Sequence, residues 1–200
     1  MGLAAVVAAY LLGSIPFGYI IVRLKTGSDI RAAGSGNIGA TNVLRTTGRA
    51  AGILTLLLDV AKGYLAVWLA ARLTANDPVW TSASAVAVIL GHAYPVFLRF
   101  KGGKAVASTL GAFLFLTPSA IAAVTLVFVT AVALTRFISL GSILAAGLFP
   151  LAVWMIAHPS FPVIYAALFA GVFIVCRHHE NIRRLREGTE RVLSLKGRRR

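Results

Sequence analysis

The segment from Gly34 to Arg45 lies between the first two apolar runs and combines glycines, short hydroxyl and amide side chains and one arginine. Glycine lets backbone N–H groups approach an anion closely, and arginine supplies a forked cationic donor. The composition of this segment therefore predicts a phosphate cradle. Its candidate ligands are Gly34, Ser35, Gly36, Asn37, Gly39, Thr41, Asn42 and Arg45.

The three glycines of this segment also match the G-x-G-x-x-G pattern of dinucleotide-binding loops. That pattern indicates a dinucleotide site only when a strand precedes it in a β-α-β unit. Here the preceding run is a membrane-span candidate, so the sequence disfavours a dinucleotide site.

A second glycine-rich segment, Lys101 to Lys104, directly precedes another apolar run. Backbone N–H groups at the start of a helix can point at an anion, so Gly102, Gly103 and Lys104 are further candidate ligands. This segment is not a Walker A loop, because Ala105 stands where that motif requires Ser or Thr.

A third polar segment, His178 to Asn181, follows the last apolar run. A spacing of three residues predicts that His178 and Asn181 share one face of a helix. Each of the three segments has a plainer interpretation, as a connecting loop, as orienting basic residues or as a solvated histidine. If they meet, however, Arg45, Lys104 and the His178–Asn181 pair have the capacity to bind two phosphate groups.

Several polar residues lie inside or beside the apolar runs. Asp59 and Lys62 are three positions apart in the second run, which predicts a local ion pair facing the helix bundle. His92 in the third run and Ser142 at a polar break are additional candidate site residues.

The composition indicates an all-α polytopic membrane protein, since 58% of residues are hydrophobic, 13% are charged and the mean hydropathy is +0.83. About seven membrane-spanning helices can be assigned, although five remain possible if the region around Pro118 crosses only once. The assigned spans are 3–22, 52–71, 81–98, 105–117, 119–135, 140–157 and 160–176.

The distribution of basic residues predicts the orientation of these spans. Of the 20 Lys and Arg residues, all but Lys62 and Arg72 fall on one side of the seven-span arrangement. The positive-inside rule places that side in the cytoplasm, with the N-terminus outside and the C-terminus inside. The three polar segments then share the cytoplasmic face, and the chain divides into a membrane domain, 1–182, and a basic tail, 183–200.

The net charge of +14 suggests a nucleic-acid partner, but the basic residues concentrate in the tail beside a membrane span. Anionic lipid is the better interpretation, because the tail lacks the aromatic residues of a single-strand binder. The single cysteine, Cys176, provides neither a disulfide framework nor a metal cluster, and we expect no metal and no cofactor.

The chain resembles the bacterial acyl-phosphate-dependent glycerol-3-phosphate acyltransferases, which are integral membrane enzymes of phospholipid synthesis. The resemblance rests on the following motifs: Gly34–Asn42 with Arg45, Gly91–Phe97, Lys101–Lys104, Arg177–Ile182 and Gly188–Glu190. It implies seven spans in a bacterial cytoplasmic (inner) membrane and an active site facing the cytoplasm. It also implies that a fatty acyl group passes from acyl phosphate to glycerol-3-phosphate, giving lysophosphatidic acid and inorganic phosphate.

Under this resemblance Ser35, Arg45, Lys104 and His178 are the candidate catalytic residues, and Asn181 would orient the glycerol phosphate. The H-x-x-x-x-D pair of acyl-CoA-dependent acyltransferases is absent, because no aspartate stands five residues after any histidine. A phosphate oxygen of the substrate is the expected proton acceptor, with His178 or His92 as alternatives. The acyl chain would lie between spans near the small residues Gly111, Ala112, Gly141 and Gly147.

A different function class is a membrane transporter of a phosphorylated or anionic solute. The intramembrane polar residues Asp59, Lys62 and His92 favour it, but the sequence shows neither broken mid-bilayer spans nor an inverted repeat.

Overall fold

The structure is a computed structural model that describes residues 1–193, and within them it consists of helices and turns with no β-strand. The all-helical architecture predicted from composition is therefore confirmed for these residues. Residues 194–200, which carry the end of the predicted basic tail, lie outside the described residues. The helices are α1 (Gly2–Ser14), α2 (Phe17–Thr26), α3 (Ala40–Thr47), α4 (Arg49–Leu73), α5 (Pro78–Ala93), α6 (Val106–Leu116), α7 (Pro118–Thr135), α8 (Ile138–Ala152), α9 (Phe161–Arg177) and α10 (His179–Arg186).

Five helical segments among the described residues are long and apolar enough to cross a membrane. A sixth is obtained if α9 and α10, which meet at an angle of 52°, are counted as one broken span. Helix α6 has 11 residues and a length of about 16 Å, roughly half of a 30 Å hydrocarbon core. The five long segments are Gly2–Thr26, Arg49–Leu73, Pro78–Leu98, Pro118–Thr135 and Ile138–Ala157. The seven-span arrangement and its orientation therefore stay predictions.

The first predicted span is not one continuous helix, which corrects the sequence-based boundary of 3–22. Helix α1 ends at Ser14, and α2 begins at Phe17 and continues to Thr26. Pro16 causes the interruption because its ring removes a backbone N–H group and clashes with the preceding turn of a helix. The α1–α2 break exposes the carbonyl group of Ile15 to the interior of the bundle, where Lys62 binds it.

Close crossings fix α6 against α4 near the middle of the bundle. Gly111 of α6 lies so close to the Val60 carbonyl of α4 that an added Cβ atom would overlap it. At the opposite crossing, a Cβ atom on Gly63 would overlap the Ser108 carbonyl. Glycine is needed here because any side chain would separate the two backbones.

A small apolar cluster anchors the loop between α2 and α4. Ile30, Ile38 and Val43 are fully or almost fully buried and pack with Val22 and Leu98. This packing holds the Gly34–Arg45 segment against the end of the bundle that also carries the Lys101–Lys104 segment.

Candidate active site

All three polar segments predicted from the sequence contribute to a single cavity of about 460 Å³. Residues from the α2–α3 loop, α3 and the α5–α6 connection line its polar end together with residues from α9 and α10. The opposite end is apolar and extends between α6, α7 and α8, with Leu110, Ile121, Phe128 and Phe149 among its lining residues. The cavity therefore combines a cationic, hydrogen-bonding end with an apolar channel.

The Gly34–Arg45 segment is shaped from within by Asn42, which is 2% exposed. Its side-chain oxygen accepts a hydrogen bond from the Ser35 N–H at 2.9 Å, and its amide donates to the carbonyls of Ala33 (3.0 Å) and Asn37 (2.9 Å). Gly34 and Gly36 have positive φ angles of 62° and 71°, a conformation that glycine adopts without strain. The Asn42 side chain thus supports the loop, although it was predicted as a ligand.

Asn42 lines the cavity together with other members of the segment. Ser35, Gly39, Thr41 and Arg45 line it, and so does Asn37, whose side-chain oxygen accepts the Gly39 N–H at 2.8 Å. The predicted glycines Gly34 and Gly36 are not among the lining residues. Their contribution is the turn geometry that places Ser35 and Asn37 at the cavity wall.

Only Lys104 of the Lys101–Lys104 segment reaches the cavity. The Gly103 N–H donates to the His92 carbonyl at 3.1 Å, so it is not free to bind an anion in the way the sequence suggested. The Gly103 carbonyl accepts from Arg177 Nη2 at 3.0 Å. The Lys104 ammonium donates to Asn181 Oδ1, and burial lowers its pKa to about 8, assisted by the charge of Arg184.

His178 and Asn181 both line the cavity, but they do not share one continuous helix as predicted. His178 lies at the bend between α9 and α10, 3% exposed, with Nδ1 2.7 Å from the Ile174 carbonyl. That contact requires a proton on Nδ1, which leaves Nε2 as an acceptor. Burial lowers the pKa of His178 to about 4, and the charge of Lys104 acts in the same direction, so the ring is neutral at pH 7.

Glu190 is a site residue that the sequence analysis did not identify. It is 8% exposed, and its carboxylate accepts hydrogen bonds from Ser139 Oγ, Asn181 Nδ2 and Arg184 Nε, each at 2.8 Å. Burial raises the pKa of Glu190, but these three hydrogen bonds outweigh burial and hold the pKa below its ordinary value. A signal was available, because Glu190 is one of only six acidic residues and belongs to the Gly188–Glu190 motif.

The segment 187–193, here called the C-terminal strap, crosses the polar end of the cavity. Arg191 Nη2 donates to the Gly34 carbonyl at 3.2 Å, and the Arg191 carbonyl accepts from Arg45 Nη2 at 3.0 Å. The Leu193 N–H donates to the Arg136 carbonyl at 2.8 Å. This part of the predicted tail therefore joins the wall of the cavity.

The remaining candidates lie on helices α4, α5 and α8. Ser142 lines the cavity and donates to the Ile138 carbonyl at 3.0 Å. The predicted ion pair between Asp59 and Lys62 is confirmed, with 2.9 Å between Lys62 Nζ and Asp59 Oδ1. His92, 3% exposed, lies beside this pair and also lines the cavity.

Comparison with known proteins adds a family relationship to this geometry. The model of the family described as glycerol-3-phosphate acyltransferase matches residues 3–188. The glycerol-3-phosphate acyltransferase of Geobacter sulfurreducens is 50% identical over 91% of this chain and 92% of its own length. The corresponding protein of Syntrophotalea carbinolica is 46% identical over 92% and 93%.

Two solved structures share the fold. Both are crystal structures of PlsY, described as an integral membrane glycerol 3-phosphate acyltransferase. The glycerol 3-phosphate form superposes with a TM-score of 0.91 at 40% identity and covers 96% of each chain. The lysophosphatidic acid form has a TM-score of 0.88 at 38% identity, covering 96% of this chain and 95% of the other.

Proposed function

Because this chain belongs to the glycerol-3-phosphate acyltransferase family, we propose that it uses acyl phosphate as the acyl donor and forms lysophosphatidic acid and inorganic phosphate. The observation that carries this proposal is the two-ended cavity, in which Arg45 and Lys104 occupy one end and an apolar channel the other. An acyl phosphate and a glycerol phosphate both present phosphate groups to the cationic end, while the acyl chain suits the channel.

The reaction needs little covalent help from the protein, since an acyl phosphate is already an activated mixed anhydride. The glycerol hydroxyl oxygen attacks the carbonyl carbon, the bond from that carbon to the phosphate oxygen breaks, and phosphate leaves with the electron pair. The hydroxyl proton passes to a phosphate oxygen of the substrate. Positioning and charge stabilisation then supply most of the rate enhancement.

The roles of the cavity residues follow from their chemistry. Ser35, Asn37, Thr41 and Arg45 form the phosphate and carbonyl cradle, with Asn42 holding its shape. Lys104 balances the charge that develops on the leaving phosphate. Ser142 of α8 lines the same cavity.

His178 and Asn181 are assigned to the glycerol phosphate. A neutral His178 with its proton on Nδ1 presents Nε2 as a hydrogen-bond acceptor for a glycerol hydroxyl. Its depressed pKa makes it a weak base, which favours an orienting role and leaves the proton to the substrate phosphate. Asn181 accepts a hydrogen bond from Lys104 and donates one to Glu190. The remaining hydrogen-bonding capacity of its amide faces the polar end of the cavity.

The pKa of Lys104 predicts a pH dependence of activity. Below about pH 8 the ammonium is protonated and can stabilise phosphate, so we expect kcat/KM to fall as the pH rises through about 8. In Lys104→Arg the guanidinium remains charged, and the alkaline fall should be absent up to about pH 10. Initial rates between pH 6 and 10 measure this difference. An alkaline limb that stays at the same pH in the arginine variant would assign the ionisation to another group.

We further propose the seven-span arrangement, in which α6 and α9 each count as one span of a bacterial cytoplasmic membrane and α10 lies outside the last span. The N-terminus would lie outside, and the cavity mouth would face the cytoplasm. The exposed Arg183 and Arg186 of α10 would then lie beside anionic headgroups, each contributing about 1 kcal/mol. The support for this orientation is the one-sided distribution of Lys and Arg.

Cysteine labelling tests the orientation. In a Cys176→Ser background, we expect cysteines at the exposed positions Ser28 and Lys101 to be protected from an impermeant thiol reagent in intact cells, because both lie on the cytoplasmic side. A cysteine at the exposed Asn76 should be labelled. All positions should react after permeabilisation, which controls for accessibility. Labelling of position 101 in intact cells would overturn the cytoplasmic site.

Purified protein supplied with glycerol-3-phosphate and either palmitoyl phosphate or palmitoyl-CoA tests the donor. We expect lysophosphatidic acid only with the acyl phosphate. Product formation from the thioester alone would reject the proposed donor. Protein that forms no product with either donor but moves glycerol-3-phosphate into vesicles would favour the transporter class instead.

A further inference from the structure

A series of buried polar contacts runs through the bundle from the break in the first span to the Lys101–Lys104 segment. It begins at the Ile15 carbonyl, which accepts a hydrogen bond from Lys62 Nζ at 2.7 Å. Lys62 is paired with Asp59 at 2.9 Å, and both side chains are about 97% buried or more. Buried charges inside a membrane are expensive and are usually paired or functional, so this pair requires an explanation.

The ion pair continues to His92 of α5. His92 Nδ1 lies 3.6 Å from Asp59 Oδ1 and 3.1 Å from Ser108 Oγ of α6. Asp59 and Ser108 therefore approach the same nitrogen from α4 and α6. Contacts from two helices fix the orientation of the imidazole ring more firmly than either contact alone.

His92 in turn fixes the glycines that precede Lys104. The His92 carbonyl accepts the Gly103 N–H at 3.1 Å, and a Cβ atom on Gly103 would overlap His92 Nε2. Arg177 holds the Gly103 carbonyl from the other side at 3.0 Å. Gly103 is thus clamped between the imidazole ring and Arg177, one residue before the lysine that enters the cavity.

The backbone around this clamp needs such support. Phe100 and Ala105 flank the Lys101–Lys104 segment with φ angles of 62° and 61°, in the left-handed region that is unfavourable for residues with a side chain. Strained backbone persists only where surrounding contacts hold it. The imidazole ring is one of the groups that supply those contacts.

We propose that His92, oriented by Asp59 and Ser108, is a positioning residue that sets the place of the Lys104 ammonium in the cavity. The Asp59–Lys62 ion pair then does more than neutralise two buried charges, because it also holds Asp59 beside the imidazole ring. This role rests on the function proposed above, in which Lys104 stabilises phosphate. It predicts that the effect of removing the ring depends on the presence of Lys104.

A double-mutant cycle tests this dependence. His92→Ala removes the ring and retains the carbonyl that binds Gly103, and we expect it to lower kcat/KM about tenfold in the otherwise wild-type protein. In the Lys104→Ala background the same change should cost less than about twofold, whereas in the Arg45→Ala background it should again cost about tenfold. Equal factors in the Lys104→Ala and Arg45→Ala backgrounds would contradict the positioning role and indicate a general structural effect.

A second pair of variants tests the clamp directly. Gly103→Ala should lower activity because its new Cβ atom overlaps the ring, and adding His92→Ala should recover part of the loss. Ser82→Ala is the control, because Ser82 lies on α5 with His92 and its buried hydroxyl has no hydrogen-bond partner among residues 1–193. The activity of this variant should equal that of the wild type. A double variant no better than the product of its two single effects would also count against the clamp.

A folding defect in a variant, or failure of the proposed acyltransferase function, can be distinguished from failure of the positioning role of His92. If His92→Ala does not give folded protein, the same cycle is run with Ser108→Ala, which keeps the ring and removes one orienting contact; the same pattern is expected at smaller size. A wild-type protein inactive with every donor contradicts the proposed function. Equal factors in an active enzyme contradict only the positioning role.

Discussion

Replacing Lys104 by alanine is expected to lower kcat/KM for acyl transfer by about ten- to hundredfold, with unchanged membrane insertion. The reason is the loss of a charged hydrogen bond to phosphate in a partly buried site, which is worth about 1.5–3 kcal/mol. Arg45→Ala should have a loss of similar size, since Arg45 lines the same end of the cavity. Initial rates below saturation with each substrate measure both effects.

Lys101→Ala is the matched control for the lysine variant. Lys101 carries the same charge three residues earlier, but it is exposed and does not line the cavity. Its activity should stay within about twofold of the wild type, because an exposed charge outside the site contributes little. Near-normal rates in both Lys104→Ala and Arg45→Ala would show that these two side chains do not bind phosphate.

The second large effect is expected at Glu190, which no part of the sequence analysis placed in the site. Glu190→Ala removes the acceptor for Ser139, Asn181 and Arg184 together, and with it the side-chain contacts that join the C-terminal strap to α8 and α10. We expect about a hundredfold loss of kcat/KM and about 2 kcal/mol less stability, because buried donors are left unsatisfied.

Glu187→Ala provides the comparison, since Glu187 is an exposed carboxylate on the same C-terminal strap. This substitution should change neither kcat/KM nor stability appreciably. Activity and the thermal unfolding midpoint in detergent are measured side by side. A Glu190→Ala protein with a normal midpoint and normal rates would show that the three hydrogen bonds are dispensable. Loss of stability with normal rates would restrict Glu190 to a role in folding.

Local chemistry made part of this molecule predictable. The Asp59–Lys62 pair follows from a spacing of three residues on a helix, and the polar loop follows from its glycines and amides. The convergence of the three polar segments followed from the arrangement of apolar runs and basic residues, which places their ends together. These inferences need only helix periodicity and the energetic cost of burying charge.

Other features depend on contacts between distant parts of the chain. The Gly103 N–H binds the His92 carbonyl, so a glycine that looked like an anion ligand is a packing residue. Arg191 reaches back to Gly34, which joins the last described residues to the first loop. No local pattern encodes either contact. The α1–α2 break, by contrast, has a local cause in Pro16. It was not predicted, because the residues on both sides of Pro16 belong to one apolar run, which was assigned as the single span 3–22.

We propose that this cavity transfers an acyl group from a phosphate anhydride to glycerol-3-phosphate. The most direct measurement follows phosphate and lysophosphatidic acid together in one time course with purified protein, palmitoyl phosphate and glycerol-3-phosphate. We expect the two products to appear in equal amounts and both rates to fall together in Lys104→Ala. Phosphate released without lysophosphatidic acid, or lysophosphatidic acid formed at an undiminished rate by that variant, would contradict this proposal.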